Sequence, residues 1–523
     1  MKVCVVGAGP SGLVTIKELL EEGHEPVCFE KSSAIGGVFH CENGKVYDST
    51  LLTVSNYFMA FSSFPPPKDD PRDFWTHQRY FEYLEDFCNH FSLQPHIQFN
   101  SEIRNIKRLP GGSFAVTVAS ADEVSETLFD AVAICTGTHQ IPKRPAFKGE
   151  QDFQGEILHS ATYRNAQPFA GKRVLCFGIG ETAADVAHEI ANVADACMLS
   201  IRRYQSIVER FPGGGPHTSD AYTSRLLSSI SSRRLHDISC NSARNKLKRE
   251  CSEYDRVLAT WTLNCQSPKE QFLTKNEIFV QDIASGKLDV HCGQIEALQR
   301  DQVVFEDGST FKADVIMCCT GYQDRFDFLE DFEIPDVRQL YKHMFHPEVG
   351  SRLALIGWAR PSVGGIPACS EMQSRYFALL CSGKRQLPGK ARLQSLIARE
   401  ASQEEDSFRL SYTIRTLVDY VGYMSSLAGL IGCRPSKLML LSEPRLLERY
   451  WFGSLVSNHF RLSGPGKQTE MARDVIMRLP IGWSRKDIRR YSVEGVLSYL
   501  EEMFEKIPLL SKGRANENYG RTH

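Results

Sequence analysis

The chain begins with short apolar runs on either side of one helical stretch. Val3 to Val6 form an apolar run that suits a buried strand, LVTIKELLEEG carries apolar residues at helical spacing, and PVCFE is a second strand that ends at Glu30. The turn GAGPSG, with Gly7, Gly9 and Gly12, lies between the first strand and the helix. This pattern predicts one complete strand, turn, helix and strand unit of a nucleotide-binding fold.

A second unit with the same pattern begins at the apolar run KRVLCF. It continues with GIGETA, which contains Gly178, Gly180 and Ala183, then with the helical stretch TAADVAHEIANVA and the strand ACMLSI. Arg202 and Arg203 follow this last strand, at the place where the first unit has an acid. We therefore expect the two units to recognise different nucleotides.

Two further apolar runs, AVAICTGT and DVIMCCTGY, predict strands that end in Thr-Gly pairs. The pairs are Thr136 with Gly137 and Thr320 with Gly321, and alternating strand-turn-strand segments precede both runs. We expect each pair to lie at the edge of a sheet where a cofactor binds.

The remaining segments complete a predicted α/β fold. Residues 206–271 are rich in Ser and Arg and predict a mostly helical insertion whose charges are solvated. No glycine-rich turn of this type follows Asp324, so the C-terminal part should pack back on the first unit. The predicted fold class is α/β, with two Rossmann-like dinucleotide-binding domains, the first being interrupted by the inserted second one, and a helical C-terminal region. We place the boundaries at 1–165, 166–325 and 326–523.

Composition narrows the partners to small molecules. The 523 residues contain 61 Lys and Arg against 63 Asp and Glu. The protein therefore has no overall positive electrostatic field that would attract nucleic acid or an anionic membrane. The apolar segment Leu417 to Cys433 is too short for a membrane span and carries Asp419. We expect no targeting leader and no metal site. We expect a cytoplasmic protein without a membrane span, and a homodimer stays open.

The sixteen cysteines predict reduced thiols. None are spaced as CxxC, and Cys318 and Cys319 lie in the apolar run VIMCCTG. Buried thiols of this kind are usually part of the core, although a catalytic or redox-sensing cysteine is an alternative.

The first glycine-rich turn is typical of a pyrophosphate site. Its first glycine allows the tight turn, its second lets the backbone approach the phosphates, and its third lets the helix close on the strand. Glu30 suits ribose hydroxyls and repels a 2′-phosphate, which favours FAD or NAD. The other candidate contacts of this site are Ala8, Pro10, Ser11 and Lys31.

The second turn favours NADPH. Glu181 and Thr182 begin its helix, and the guanidinium groups of Arg202 and Arg203 match a 2′-phosphate. The alternative is that both arginines are only exposed surface residues. Together the two units imply hydride transfer from NADPH to flavin. No cysteine pair is spaced to accept the electrons as a disulfide, so oxygen is the expected acceptor.

The stretch FQGEILHSATY lies between the two units and carries a family resemblance. Phe153, Gly155, His159 and Tyr163 fit the FxGxxxHxxx(Y/F) pattern of the flavin-containing monooxygenases. Baeyer-Villiger enzymes are similar but end the pattern in Trp, so Tyr163 favours nitrogen and sulfur oxygenation. We expect His159 to fix the crossing between the domains; the alternatives are a buried histidine without a chemical role and a proton donor.

The resemblance extends over nearly the whole chain. FEKSSAIGGVF is similar to the family's second FAD segment, FSSFPPP to its FSDFP stretch, and RPSVGGIPACSEMQSR and FRLSGPGK to its C-terminal half. Glu371 and Gln373 match the late segment, but as exposed helix residues they could be inert. The resulting candidate cofactor contacts, with one further residue in the first domain, are Gly36, Gly37, Val38, Phe39 and Ile103.

One departure from the family concerns the flavin ring. The family usually places an asparagine where this chain has Thr53, and Asn56 follows one helical turn later. Both residues are catalytic candidates, and either one could take the role.

The resemblance implies the reaction. NADPH reduces FAD, oxygen forms a C4a-hydroperoxyflavin, and the nitrogen or sulfur of an amine, indole or thioether attacks the distal oxygen. The alternatives are Baeyer-Villiger oxygenation of a ketone and an uncoupled NADPH oxidase or redox sensor.

Overall fold

A computed structural model describes residues 1–41, 45–120, 123–266 and 271–505. Residues 267–270 of the predicted insertion and the polar end of the chain after residue 505 lie outside the described residues. The strands, in chain order, are β1 (Lys2–Val6), β2 (Glu25–Phe29), β3 (Ile97–Gln98), β4 (Ser101–Arg108), β5 (Phe114–Ser120), β6 (Glu123–Phe129), β7 (Ala131–Ile134), β8 (Ile141–Pro142), β9 (Glu156–His159), β10 (Arg173–Phe177), β11 (Ala196–Ile201), β12 (Asp289–Cys292), β13 (Ile295–Gln299), β14 (Gln302–Phe305), β15 (Thr310–Lys312), β16 (Val315–Cys318), β17 (Tyr322–Gln323), β18 (Leu353–Leu355), β19 (Arg360–Pro361) and β20 (Leu417–Val418).

The α-helices follow the same chain order. They are α1 (Pro10–Glu21), α2 (Asn56–Met59), α3 (His77–His90), α4 (Glu181–Ala191), α5 (Arg225–Ser228), α6 (Ser232–Leu247), α7 (Glu253–Asn264), α8 (Ile278–Ala284), α9 (Ile366–Cys381), α10 (Lys390–Ser407), α11 (Tyr420–Ile431), α12 (Lys437–Ser442), α13 (Pro444–Phe452), α14 (Thr469–Arg478) and α15 (Arg485–Glu505).

The first sheet is parallel and has the strand order β18-β7-β1-β2-β3. Its central strands are apolar on both faces, as expected for a parallel sheet covered on both sides. Val3 and Val5 of β1 belong to the core formed with α1 and α9, whereas Cys4 and Val6 face the core formed with the antiparallel sheet β4-β5-β6.

The second sheet repeats this arrangement with the order β12-β11-β10-β16-β9. Val174 and Cys176 of β10 lie in a core with α4 and α8, and Leu175 lies in a core with the antiparallel sheet β13-β14-β15. The two Rossmann-like sheets and the return of β18 to the first sheet agree with the predicted fold class.

The two connections between the sheets pair with each other. β8 and β17 form a short antiparallel ladder, so the chain leaves and re-enters the first domain side by side. β9 pairs with β16 and therefore belongs to the second sheet. Because a boundary at residue 165 would divide this sheet, we propose that the inserted domain begins before Glu156.

The C-terminal half packs back on the first domain through a buried ionic network. The Arg461 guanidinium donates to Glu18 and Glu371, both at 2.7 Å. Glu371 also accepts from the backbone N–H of Ser62 at 2.9 Å. The expectation that Glu371 and Gln373 are exposed is wrong, because α9 is buried around most of its circumference and both side chains are 0 % exposed.

The insertion is helical as predicted and contains α5, α6 and α7. Its charges are not all solvated, however. Arg210, Asp220 and Arg225 are buried. The reason is that this segment packs against the first domain, where Arg72 and Asp220 form an ion pair at 2.8 Å.

Two expectations from composition concern the membrane and the thiols. None of the helices among the described residues is long and apolar enough to span a membrane, and residues 417–433 form β20 and α11. None of the sixteen cysteines, all of which are among the described residues, forms a disulfide, and Cys318 is buried in β16.

Candidate active site

The turn between β1 and α1 has the geometry of a pyrophosphate site. Gly7 has a φ of 99°, in the left-handed region, and its N–H donates to Phe29 O at 2.9 Å. A Cβ at Gly12 would lie 1.9 Å from Gly7 O, so this position accepts no side chain. Because α1 begins at Pro10 directly after Gly9, its N-terminal N–H groups remain available to an anion. These residues fit the pyrophosphate of FAD.

Glu30 is held at the carboxyl end of β2. Its carboxylate accepts from Ala8 N at 2.7 Å and from both the N–H and the hydroxyl of Ser32, at 2.9 and 2.6 Å. The side chain is buried, whereas the neighbouring Lys31 is exposed. The carboxylate is thereby oriented beside the glycine-rich turn, where it fits the ribose hydroxyls of a dinucleotide.

The second FAD segment contacts the same turn. Gly36 N donates to Ala8 O at 3.0 Å, and a Cβ at Gly37 would come within 3.2 Å of Gly9 Cα. Val38 and Phe39 are half-buried, and the Phe39 ring packs edge-on against α3. The close backbone approach explains the glycine pair and brings both predicted FAD segments together.

Other predicted contacts lie at this edge or behind it. Thr136 and Gly137 follow β7, the neighbour of β1, and both are half-buried. Ile103 is half-buried on β4 and packs against the core beneath the sheet. The Ser11 hydroxyl lies 2.9 Å from that of Ser370 in α9.

Gly357 also belongs to this edge, although it was not among the predicted residues. It follows β18 with a φ of 91°, and its N–H donates to Gln373 Oε1 at 2.9 Å. A Cβ at Gly357 would lie 2.3 Å from Ser11 Oγ. The signal was the apolar run LALIG, a strand that runs into a glycine as β1 does.

The turn between β10 and α4 repeats the geometry of the first. Gly178 has a φ of 123°, and a Cβ there would lie 2.6 Å from Cys319 O. Gly180 is the residue before α4, with no atom within 4 Å of its Cβ position, and the buried Ala183 allows the helix to close on the sheet. These positions fit the pyrophosphate of NADPH.

Three predicted residues lie around this second turn. Glu181 and Thr182 occupy the first turn of α4, and Thr320 follows β16, where its hydroxyl donates to Lys143 O. Glu181 accepts from the N–H of Lys275 at 2.9 Å. Burial raises the pKa of Glu181 to about 7.

Arg202 and Arg203 lie at the carboxyl end of β11. Arg202 is exposed and Arg203 is half-buried. Burial and the neighbouring Arg202 lower the pKa of Arg203. Neither guanidinium forms an ion pair or hydrogen bond with the part of the chain that the structure describes. Two unpaired cations at this place fit a 2′-phosphate.

His159 and Tyr163 fasten the linker motif to the second domain, since their partners belong to the same sheet and to α4. A role of His159 at the crossing between the domains stays a prediction. The His159 Nε2–H donates to Gly321 O at 3.0 Å, and its Nδ1 accepts from Ala161 N at 3.0 Å. Burial lowers the pKa of this imidazole, so both ring nitrogens act in a neutral, positioning role. The Tyr163 hydroxyl donates to Glu189 of α4 at 2.5 Å.

Thr53 and Asn56 differ in what their side chains contact. The Asn56 amide donates to Pro71 O at 2.9 Å and accepts from Tyr57 N at 3.0 Å, and the residue is fully buried. Thr53 is half-buried, and its hydroxyl forms no hydrogen bond within the described ranges. Thr53 is therefore free to contact a ligand, whereas Asn56 is bound to its own loop.

The insertion fastens the segment that carries Thr53. Asp220 accepts from Ser55 N at 2.8 Å, from the Thr218 hydroxyl at 2.5 Å and from Arg72 at 2.8 Å. Burial alone would favour the protonated acid, but Arg72 and the hydrogen bonds lower the pKa of Asp220. The charged Asp220 thus couples the inserted domain to the segment that carries Thr53.

Comparison with known proteins gives a match over almost the whole chain. A family model described as flavin-binding monooxygenase-like matches residues 1–508. A 4-hydroxybenzoate brominase (decarboxylating) of Marinomonas mediterranea is 37 % identical over 487 residues, 92 % of this chain and 93 % of that protein. The N-oxide-forming dimethylaniline monooxygenase 2 of Rattus norvegicus is 32 % identical over 504 residues, 91 % of each chain.

Solved structures share the fold. The S-allyl-L-cysteine S-oxygenase of Allium sativum superposes with a TM-score of 0.61 at 24 % identity, covering 82 % of this chain and 88 % of its own. An open form of cyclohexanone monooxygenase gives a TM-score of 0.57 at 17 % identity, covering 82 % of this chain and 97 % of its own. At these identities the likeness concerns the fold alone.

Proposed function

The chain belongs to the flavin-binding monooxygenase-like family, and we propose that it uses NADPH and O2 to oxygenate a soft nucleophilic nitrogen or sulfur of a small organic molecule. The observation that carries this proposal is the pair of glycine-rich turns. Each opens a helix at the carboxyl edge of its own parallel sheet, and the Tyr47 ring of the first domain packs against Tyr163 beside the second sheet. Ligands of open α/β sheets bind at such edges.

FAD and NADPH are the cofactors of this reaction. We assign FAD to the turn at Gly7 to Gly12 with Glu30, and NADPH to the turn at Gly178 to Gly180 with Arg202 and Arg203. Bound FAD supplies the two-electron chemistry that activates oxygen, and NADPH supplies the electrons. One atom of O2 enters the product, and the other leaves as water.

The chain's own groups position the cofactors and exclude water. His159 fixes the Gly321 turn, and Asp220 holds the Thr53 segment in a buried, hydrogen-bonded position. We propose that Thr53, rather than Asn56, contacts the flavin, because the Asn56 amide is bound by its own loop. No nucleophile or general base is required of the protein itself.

Two features favour nitrogen or sulfur as the substrate atom that accepts the oxygen. The linker motif ends in Tyr163, and relatives at 31–32 % identity are named N-oxide-forming monooxygenases. A soft nucleophile needs only to reach the oxidant, so an apolar and dry site suffices.

A second candidate is oxidation of a halide followed by substitution on a phenolic ring. It is favoured because the relatives named 4-hydroxybenzoate brominases are more similar, at 37 % identity over more than nine-tenths of the chain. Bromide is also a soft nucleophile, so the same cofactor arrangement serves both reactions.

A substrate panel tests the proposal. The FAD-loaded protein is supplied with NADPH and O2 and offered a tertiary amine, an indole, a thioether, a cyclic ketone, or bromide with 4-hydroxybenzoate. We expect N-oxide or sulfoxide in about one-to-one ratio with NADPH consumed. Brominated phenol would favour the second candidate, an ester would favour the Baeyer-Villiger alternative, and peroxide as the sole product would favour the oxidase alternative.

A further inference from the structure

Two cationic side chains meet where the two cofactor edges face each other. Arg360 begins β19, a few residues after β18 ends at the edge of the first sheet. Its guanidinium carbon lies 4.1 Å from the centroid of the Phe272 ring. Lys275 follows in the same segment as Phe272, and its backbone N–H donates to Glu181 at the first turn of α4. The segment from Phe272 to Lys275 therefore contacts a group from each domain.

Neither cation has a charged partner at contact distance. Lys275 is 8 % exposed and Arg360 is partly buried. Within residues 1–41, 45–120, 123–266 and 271–505, neither side chain forms a hydrogen bond or an ion pair. Glu181 is the carboxylate that raises the pKa values of both cations, and its Oε2 is buried and has no hydrogen-bond partner among the described residues.

The charges of this cluster do not balance. Burial lowers the pKa values of Lys275 and Arg360, and the nearby charge of Arg360 lowers the pKa of Lys275 further. Burial raises the pKa of Glu181 to about 7, which further weakens its compensation of the two cations. Buried charges are normally paired, so an unpaired pair of cations indicates a bound anion.

The phosphates of the two cofactors already have sites. The N-termini of α1 and α4 suit the pyrophosphates, and Arg202 and Arg203 suit the 2′-phosphate. The excess positive charge extends from the first turn of α4 to Arg360, which follows β18 of the first sheet and packs on the Phe272 ring. That position suits the organic substrate rather than a cofactor.

We propose that Arg360 and Lys275 bind the carboxylate of an organic substrate, with the Phe272 ring against its apolar part. This inference rests on the proposed function, since it names the class of molecule that enters the same cleft. Arg360 is then a specificity-determining residue: it selects acids over neutral molecules of equal shape, and it takes no part in oxygen transfer.

The test compares benzoate with benzamide, which have nearly the same shape and differ in charge. Isothermal titration calorimetry of the oxidised FAD-loaded protein, without NADPH, measures binding of each. We expect benzoate to bind about tenfold or more tightly than benzamide, as for a charge-assisted hydrogen bond. Arg360→Gln should abolish this preference and Arg360→Lys should retain part of it. Arg104→Gln, at an exposed pair with Glu102, serves as the control and should change nothing.

Two results would overturn the inference. The first is equal binding of benzoate and benzamide to the wild-type protein. The second is an Arg360→Gln variant that weakens NADP+ binding about tenfold and leaves the benzoate preference intact, because the anion would then be a cofactor phosphate. The calorimetry measures binding without turnover. A protein that forms no oxygenated product would therefore refute the proposed function, and the binding preference for benzoate would still test the inference.

Discussion

At the scale of single residues, the contacts of a side chain decide between candidates that the sequence leaves equal. Thr53 and Asn56 lie one helical turn apart, and the sequence offers no means of choosing between them. In the structure Asn56 is fully buried and bound to Pro71 and Tyr57, whereas the Thr53 hydroxyl is free of such contacts. This difference depends on the loop at residues 70–73, which packs against α2. No local sequence pattern predicts that contact.

Substitution of the two residues should separate their roles. Thr53→Ala should raise the share of NADPH electrons released as hydrogen peroxide by about two- to tenfold. A factor of this size corresponds to the free energy of one lost hydrogen bond. Asn56→Ala should instead lower the free energy of unfolding by about 1–3 kcal/mol, because it leaves buried backbone groups unpaired. Peroxide assays and urea unfolding measure the two effects. An Asn56→Ala protein that folds stably but releases more peroxide than Thr53→Ala would contradict the assignment.

Glu181 should make NADP+ binding depend on pH. Burial raises its pKa to about 7, and the groups that act on it are Lys275, Arg360 and Asp185. Below pH 7 the neutral acid tolerates a pyrophosphate at the N-terminus of α4, and above pH 7 the carboxylate repels it. We expect the dissociation constant of NADP+ to rise about three- to tenfold between pH 6 and pH 8.

Glu181→Gln is the matched control for this dependence. The amide has the same shape and no charge, so its dissociation constant for NADP+ should stay nearly constant over the same pH range. A dependence of equal size in both proteins would assign the titration to the 2′-phosphate or to another residue.

At the scale of secondary-structure elements, the two glycine-rich turns were predicted because their determinants are local. Strand, turn and helix lie within about twenty consecutive residues, and steric exclusion fixes the glycines. The burial of α9 was not predicted. Its sequence IPACSEMQSRYFALLC has polar residues on every side, and the partners that bury Glu371 lie far away in the chain, at Ser62 and Arg461.

A pair of alanine substitutions should show that the first turn needs its glycine. In Gly12→Ala the new Cβ would lie 1.9 Å from Gly7 O, so the turn cannot close and the protein should be purified with little FAD. Gly180→Ala meets no atom within 4 Å and should keep its FAD. The ratio of flavin absorbance to protein absorbance measures the outcome, and full FAD content in Gly12→Ala would contradict the assignment of this turn.

At the scale of the whole molecule, contacts between distant segments hold the cofactor edges in place. The Arg72–Asp220 pair joins the insertion to the first domain, and Arg461 joins the C-terminal half to α1 and α9. The sequence predicted two Rossmann-like units and a helical C-terminal region. It could not predict these pairs, because a charged residue in a polar segment shows no sign of a partner several hundred residues away.

The Arg461 network should make stability depend on pH in the acid range. Burial would raise the pKa of Glu371, but Arg461 lowers it to about 2, below the ordinary value of 4.5. The carboxylate therefore stabilises the fold fully above about pH 4.5, and this contribution is lost as the pH falls toward 2. Glu371→Gln should cost about 3 kcal/mol at pH 7, with a smaller difference from wild type at pH 3.

Urea unfolding at both pH values measures this effect. Glu102→Gln, at an exposed pair with Arg104, is the control and should change the stability by less than about 0.5 kcal/mol. A cost of Glu371→Gln that is equal at pH 7 and pH 3 would mean that charge in this network does not stabilise the fold.

The central claim is that one chain couples NADPH oxidation to the transfer of one oxygen atom from O2. Its most direct test is turnover of a thioether by the FAD-loaded protein under ¹⁸O2, with mass spectrometry of the product. We predict a sulfoxide that carries one ¹⁸O atom for each NADPH consumed. Oxidation of NADPH that leaves all of the ¹⁸O in hydrogen peroxide and water, with none in an organic product, would contradict the claim.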